Sequence, residues 1–130
     1  GGYVLAEAEG DLSVILIATG SEVAIALEAR EVLHSTGVGT RVVSMPCVEW
    51  FDEQDDSYRE TVLPRGVTAR VSIEAGIAQS WHRFVGDSGR SVSLEHFGAS
   101  ADYQRLYQEF GLTSAAVVAA AHESLTLSGK

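Results

Sequence analysis

The chain has 130 residues, 45% hydrophobic and 21% charged, a balance that suits one soluble globular domain and excludes a disordered or low-complexity chain. Its formal charge of −9 at pH 7 repels phosphate backbones and argues against nucleic-acid binding. No apolar run is long enough to cross a bilayer, so no membrane partner is expected.

In chain order, Tyr3-Val4-Leu5 reads as a weak first strand and Gly10-Asp11 as the turn after it. Ser13 to Ala18 is apolar without alternation, the mark of a strand buried on both faces. A helix is predicted from about Ser21 to Ser35, opened by the capping-box pattern Thr19-Gly20-Ser21-Glu22 and stopped at Gly37. Ala24, Glu28, Glu31 and Ser35 form its narrow outer strip, leaving an apolar arc wide enough to meet more than a sheet. Arg41 to Met45 is the third strand, ended by Pro46, and a helix is predicted from Asp52 or Glu53 to Leu63. Val67 to Ala75 alternates apolar and polar residues, which predicts a strand with one less buried face. Gly76 to Val85 reads as helix and Ser91 to Leu94 as a fifth strand. Two closing helices follow, one carrying Tyr103, Leu106, Tyr107 and Phe110 on a face, the other Val117, Val118, Ala121 and Leu125. The residues from Thr126 onward are expected to fray. Strands separated by helices predict a single α/β domain over residues 1–130, a three-layer α/β/α sandwich on a mainly parallel sheet.

Ligands in such sheets favour the carboxyl ends of the strands. That edge collects Gly20, Ser21, Cys47, Glu74, Gly76 and His96 as candidates for an interface or a regulatory site. Glu22 argues against a phosphate at the first turn, because a capping carboxylate takes the donors an anion needs. With Glu22 and Glu74 the edge is acidic, which fits a basic protein surface better than a sugar phosphate. His34, His82, His96 and His122 show no metal-ligand spacing, and Gly37-Val38-Gly39 stands between a helix and a strand, the wrong order for a dinucleotide fingerprint. Cys47, the single cysteine, leaves no intramolecular disulfide or thiolate cluster and fits a reducing, cytoplasmic setting. Gly1-Gly2-Tyr3 lacks the basic start and apolar segment of a secretory leader.

Several longer segments carry a family resemblance. Leu16-Ile17-Ala18-Thr19-Gly20-Ser21-Glu22-Val23 resembles the first strand–helix turn of the transketolase C-terminal domain. Arg41 to Pro46, Phe51 to Asp55 and Tyr58 to Pro64 are similar to its most distinctive stretch, continued by Val71 to Ala78 with Trp81. Phe97 to Ala101 and Phe110 to Thr113 complete a match from about Gly2 to Leu125; Asp102 stands where the family usually has proline. The resemblance implies a five-stranded sheet with its first strand antiparallel to the rest. It also implies a three-domain, homodimeric parent enzyme that moves a two-carbon ketol unit between sugar phosphates with thiamine diphosphate and a divalent metal, magnesium or calcium. In the family the first domain supplies a Gly-Asp-Gly…Asn metal-diphosphate motif and the middle domain the activating glutamate. This chain has no asparagine, so Gly86-Asp87-Ser88 does not complete that motif, and no cofactor is expected on it. The leading reading is therefore a structural and interaction domain whose partners are the other domains of the parent. The alternatives are a regulatory domain binding a small ligand or nucleotide at the strand-end crevice, and the equivalent domain of a related thiamine enzyme such as dihydroxyacetone synthase.

Overall fold

A computed structural model describes residues 2–20, 22–74, 82–93 and 113–129. Five strands, β1 (Tyr3–Ala6), β2 (Val14–Ala18), β3 (Thr40–Ser44), β4 (Arg70–Glu74) and β5 (Arg90–Ser93), form one sheet in the order β1-β3-β2-β4-β5. β1 runs antiparallel to β3 and every other pair is parallel, as the resemblance implies. The unalternating run of β2 lies at the centre, all five residues fully buried. Val14, Leu16 and Ala18 face one core with Val42, Val71 and Ile73, beneath α1 (Glu22–Ser35) and α5 (Ser114–Leu127). Ile15 and Ile17 face the other with Val43 and Met45, beneath α2 (Val48–Asp52), α3 (Asp56–Val62) and α4 (His82–Val85). The layers are therefore α/β/α.

The expected outer strip of α1 is exposed at Ala24, Glu28, Glu31 and Ser35, and the helix packs on α5 as well as on the sheet. Val32 belongs to the exposed side too, so the apolar arc is narrower than its sequence reads. The helix starts at Glu22 and ends in a Schellman motif: Val38 N–H donates to Leu33 O (3.0 Å), Gly37 N–H to His34 O (3.0 Å), and Gly37 takes φ +83°.

Four expectations change. The single helix from 52 or 53 to 63 is two, α2 and α3, because Asp55 Oδ1 accepts the Tyr58 N–H (2.8 Å) and starts a helix of its own. The polar face of β4 is not open: Ser72 is 1% exposed and its hydroxyl pairs with that of Ser91 (2.7 Å), while Arg70 is held under α3 and α4. The last helix continues through Thr126 to Leu127, capped at its start by Thr113 Oγ1, which accepts from Ala116 N–H (3.2 Å). β5 begins one residue early, at Arg90. The helix with Tyr103 and Phe110 lies outside the described residues, as do residues 76–81 of the predicted fourth helix.

The edge strand is fastened by charge. Arg41 donates to both carboxylate oxygens of Glu7 (2.8 and 2.9 Å) and to the Thr61 and Val62 carbonyls, while Arg30 donates to Glu7 O. The hydrogen bond from Arg41 holds the Glu7 carboxyl below its ordinary pKa, against a smaller opposing effect of burial. A depressed carboxylate stabilises the fold above its unfolded pKa and loses that contribution as pH falls through the folded value. Glu7→Gln is therefore expected to cost about 0.5–1 kcal/mol at neutral pH, modest because the carboxylate is half open to water. Urea titrations should show the wild-type advantage shrink progressively as pH falls below the ordinary glutamate value. An advantage that stays constant down to full acid protonation would refute the linkage.

Candidate functional site

The carboxyl ends of β2, β3 and β4 lie side by side: Ala18 pairs with Ser44 and with Ile73, and Met45 N–H donates to Ala18 O (2.9 Å). Gly20 forms the turn from β2 into α1 with φ +58°, a conformation that favours glycine. Glu22 N–H bonds Thr19 O (3.2 Å) and Val23 N–H bonds Gly20 O (3.3 Å). α1 is described from Glu22 onward. The Glu22 side chain is 4% exposed, and a Cβ built on Gly20 would lie 3.6 Å from its Oε2. A carboxylate thus overhangs the turn where a phosphate would sit.

Cys47 is the residue before α2, in extended conformation. Its half-buried thiol donates to Glu49 Oε2 (3.6 Å), a carboxylate. Glu74 ends β4 in register with Ser93. The fold therefore gathers Gly20, Cys47 and Glu74 at neighbouring strand ends; Ser21, Gly76 and His96 lie outside the described residues. His34 is structural: its Nε2 accepts from Thr40 N–H (3.1 Å) and Glu9 N–H (3.4 Å). Among the described residues no group of three or more His, Cys, Asp or Glu is placed to hold a metal ion.

Sequence reasoning missed the aromatic side chains on this edge. Trp50 is 63% exposed, Tyr3 47% and Tyr58 38%. Phe51, next to Trp50, is buried against Phe84 (centroids 6.1 Å) and Tyr58 (6.3 Å). The available signal was the pair Trp50-Phe51 itself: neighbours on a helix point about 100° apart, so a short surface helix buries one of them.

A hollow of about 350 Å³ opens at the other edge, the amino ends of β4 and β5, against Arg65, Arg70, Arg83, Gly86 and Ser88. Two of its guanidinium groups are already committed. Arg70 donates to four carbonyls, and Arg83 grips Asp52 through two bonds (3.0 and 2.6 Å), holding that carboxyl below its usual pKa. The hollow reads as a structural clamp between α2, α4 and the sheet.

Residues 1–113 match the model of the transketolase-like TK C-terminal domain. The chain belongs to that family. It is 55% identical over 129 residues to the transketolase of Mycobacterium leprae, covering 96% of this chain and 18% of that protein. Among solved structures, the transketolase of Leishmania mexicana superposes with a TM-score of 0.89 at 39% identity, over 100% of this chain and 18% of that one. A split-gene transketolase described as an inactive β4 tetramer matches with a TM-score of 0.66 at 25% identity, over 98% of this chain and 43% of that one. The transketolase-like C-terminal domain described here thus spans about a fifth of the relatives' length, and the remainder of a relative consists of domains this chain does not contain. Among the described residues no helix is long and apolar enough to cross a membrane.

Proposed function

We propose that the chain is the C-terminal interaction domain of a cytoplasmic, homodimeric transketolase, holding the assembly while other domains carry the chemistry. The parent would transfer a two-carbon ketol unit between sugar phosphates. Thiamine diphosphate and its divalent metal would supply the carbanion chemistry from those other domains. The observation that supports this reading is the family match over residues 1–113.

The described residues do not fit the cofactor. The Gly86–Gly89 segment is a closed turn: Gly86 takes φ +73°, its carbonyl accepts the Gly89 N–H (3.1 Å), and the Ser88 carbonyl accepts from Ser124 (2.5 Å). The overhanging Glu22 likewise disfavours a nucleotide or sugar phosphate at the first turn, so a regulatory pocket there has no support. The split-gene relative, described as inactive, is consistent with a C-terminal part that cannot work alone.

The test is assay of the isolated chain with thiamine diphosphate, magnesium, a ketose phosphate donor and an aldose phosphate acceptor. No turnover is expected, nor any rise in melting temperature on adding the cofactor and metal, while the parent polypeptide turns over. Sustained turnover by the isolated chain, or a saturable cofactor-dependent rise, would overturn the assignment.

A further inference from the structure

We propose that the hollow at the amino ends of β4 and β5 is an anion site that takes a phosphate group, held by Arg65, Arg70 and Arg83. It lies at the opposite edge of the sheet from the strand-end candidates and does not depend on the proposed function.

The clamp built on these arginines leaves donors over. A guanidinium carries five N–H groups. Arg70 directs four hydrogen bonds at the carbonyls of Leu63, Pro64, Val67 and Phe84, and none at a carboxylate. Arg83 uses two donors on Asp52. The Arg65 side chain is 88% exposed and meets Glu60 at 3.6 Å, beyond hydrogen-bond distance. Each of the three therefore keeps at least one N–H for a further acceptor, and Thr68 adds a hydroxyl to the same wall.

Charge is unbalanced in the same place. Asp87 is the one carboxylate in the wall, against three guanidinium groups, and Asp52 outside it neutralises Arg83. Arg70 has only carbonyl partners, and burial pulls its pKa down with Glu60 opposing. A cation poorly solvated and without a carboxylate in hydrogen-bond contact favours an anion beside it. The chain's charge of −9 repels anions at long range, where salt screens it, whereas these groups act at contact distance.

The chemistry of the donors selects phosphate. Guanidinium groups make charge-assisted, often paired bonds to its oxygens, and several of them around one tetrahedral anion serve different oxygens at once. The Arg83 guanidinium lies over the Phe84 ring (4.3 Å), which holds its plane in position. The volume of about 350 Å³ falls in the range of small-molecule sites and leaves room for the organic part of a monoester.

The experiment is amide hydrogen exchange of the intact parent enzyme, read peptide by peptide by mass spectrometry. Inorganic phosphate or phenyl phosphate is added, against sodium chloride of equal ionic strength. Peptides spanning residues 65–70 and 83–88 are expected to exchange about three-fold more slowly at saturation with phosphate. Because the readout is local, phosphate bound by other domains does not enter it. A larger effect at lower concentration from phenyl phosphate would identify a monoester as the ligand, an equal effect the free anion, and either supports the site. Arg65→Gln alters a side chain that stands in solvent, so the fold is kept; it is expected to raise the concentration for half the effect about ten-fold, with Arg65→Lys recovering part of the loss. The proposal would be overturned by no slowing with either probe, by equal slowing with sodium chloride, or by an unchanged half-effect concentration in Arg65→Gln.

Discussion

Replacing Arg70 with methionine is expected to lower folding stability by about 2–3 kcal/mol, the range for depriving several carbonyls of a charged, half-buried donor. The reason is the number of groups one guanidinium satisfies. Nε donates to Val67 O (2.9 Å), Nη1 to Phe84 O (2.7 Å), and Nη2 to Leu63 O (3.2 Å) and Pro64 O (2.7 Å). These carbonyls belong to the end of α3, the approach to β4 and the end of α4. Burial pulls the guanidinium's pKa down, with Glu60 opposing, yet arginine stays charged at any physiological pH. Methionine keeps most of the volume and removes this donor from all four carbonyls, of which Pro64 O still accepts the Val67 N–H (3.1 Å); water entering from the adjoining hollow limits the loss. Arg70→Lys should recover less than half, since an ammonium does not span four acceptors spread over a fork. Urea denaturation measures both variants. A loss below about 1 kcal/mol for the methionine variant would show that the carbonyls are served by solvent.

Arg70 also shows where sequence reading stops. The β2 run was legible because a stretch without polar residues has one environment, and the mixed α/β order followed from strands alternating with an amphipathic helix. In β4 the alternation Arg70, Val71, Ser72, Ile73 reads as a solvent face, but a half-buried arginine and a buried serine produce the same pattern when carbonyls and a neighbouring hydroxyl meet them. Period-two patterning reports polarity, and burial follows only if the polar groups find water there. The segment 52–63 failed for a related reason. Its acidic residues carry no apolar period, so nothing in the spacing marked Asp55 as the cap between two helices. The strand order legible in the sequence brings Gly20, Cys47 and Glu74 to neighbouring strand ends. Trp50 was missed because an aromatic side chain in an α/β domain is read as core, and its exposure depends on which of two adjacent rings the short helix turns inward.

Gly39→Ala is expected to cost about 3 kcal/mol, the upper range for overpacking, although its backbone is not in a left-handed conformation. In Gly37-Val38-Gly39 the two glycines serve different needs. Gly37 supplies the positive φ that closes α1, whereas Gly39 supplies space. A Cβ on Gly39 would run into the Asp11 carbonyl oxygen and stand 3.3 Å from Glu9 O, both backbone atoms. Neither side has room to retreat: Gly39 O accepts the Ser13 N–H (2.8 Å) and the Val14 N–H (3.1 Å), and the next residue, Thr40, pairs with Val14 as β3 joins β2. Relief would require the loop before β2 to move as a unit, at the expense of those bonds and of the Glu9 and Thr40 contacts to His34. Gly66→Ala is the control, since a Cβ there meets nothing within 4 Å and the backbone is not left-handed; it should be neutral or stabilising by up to about 1 kcal/mol. Denaturant midpoints of the two variants, measured beside the wild type, decide the matter. Equal midpoints would mean that the Asp11 loop yields freely and that the close approach at Gly39 carries no energetic weight.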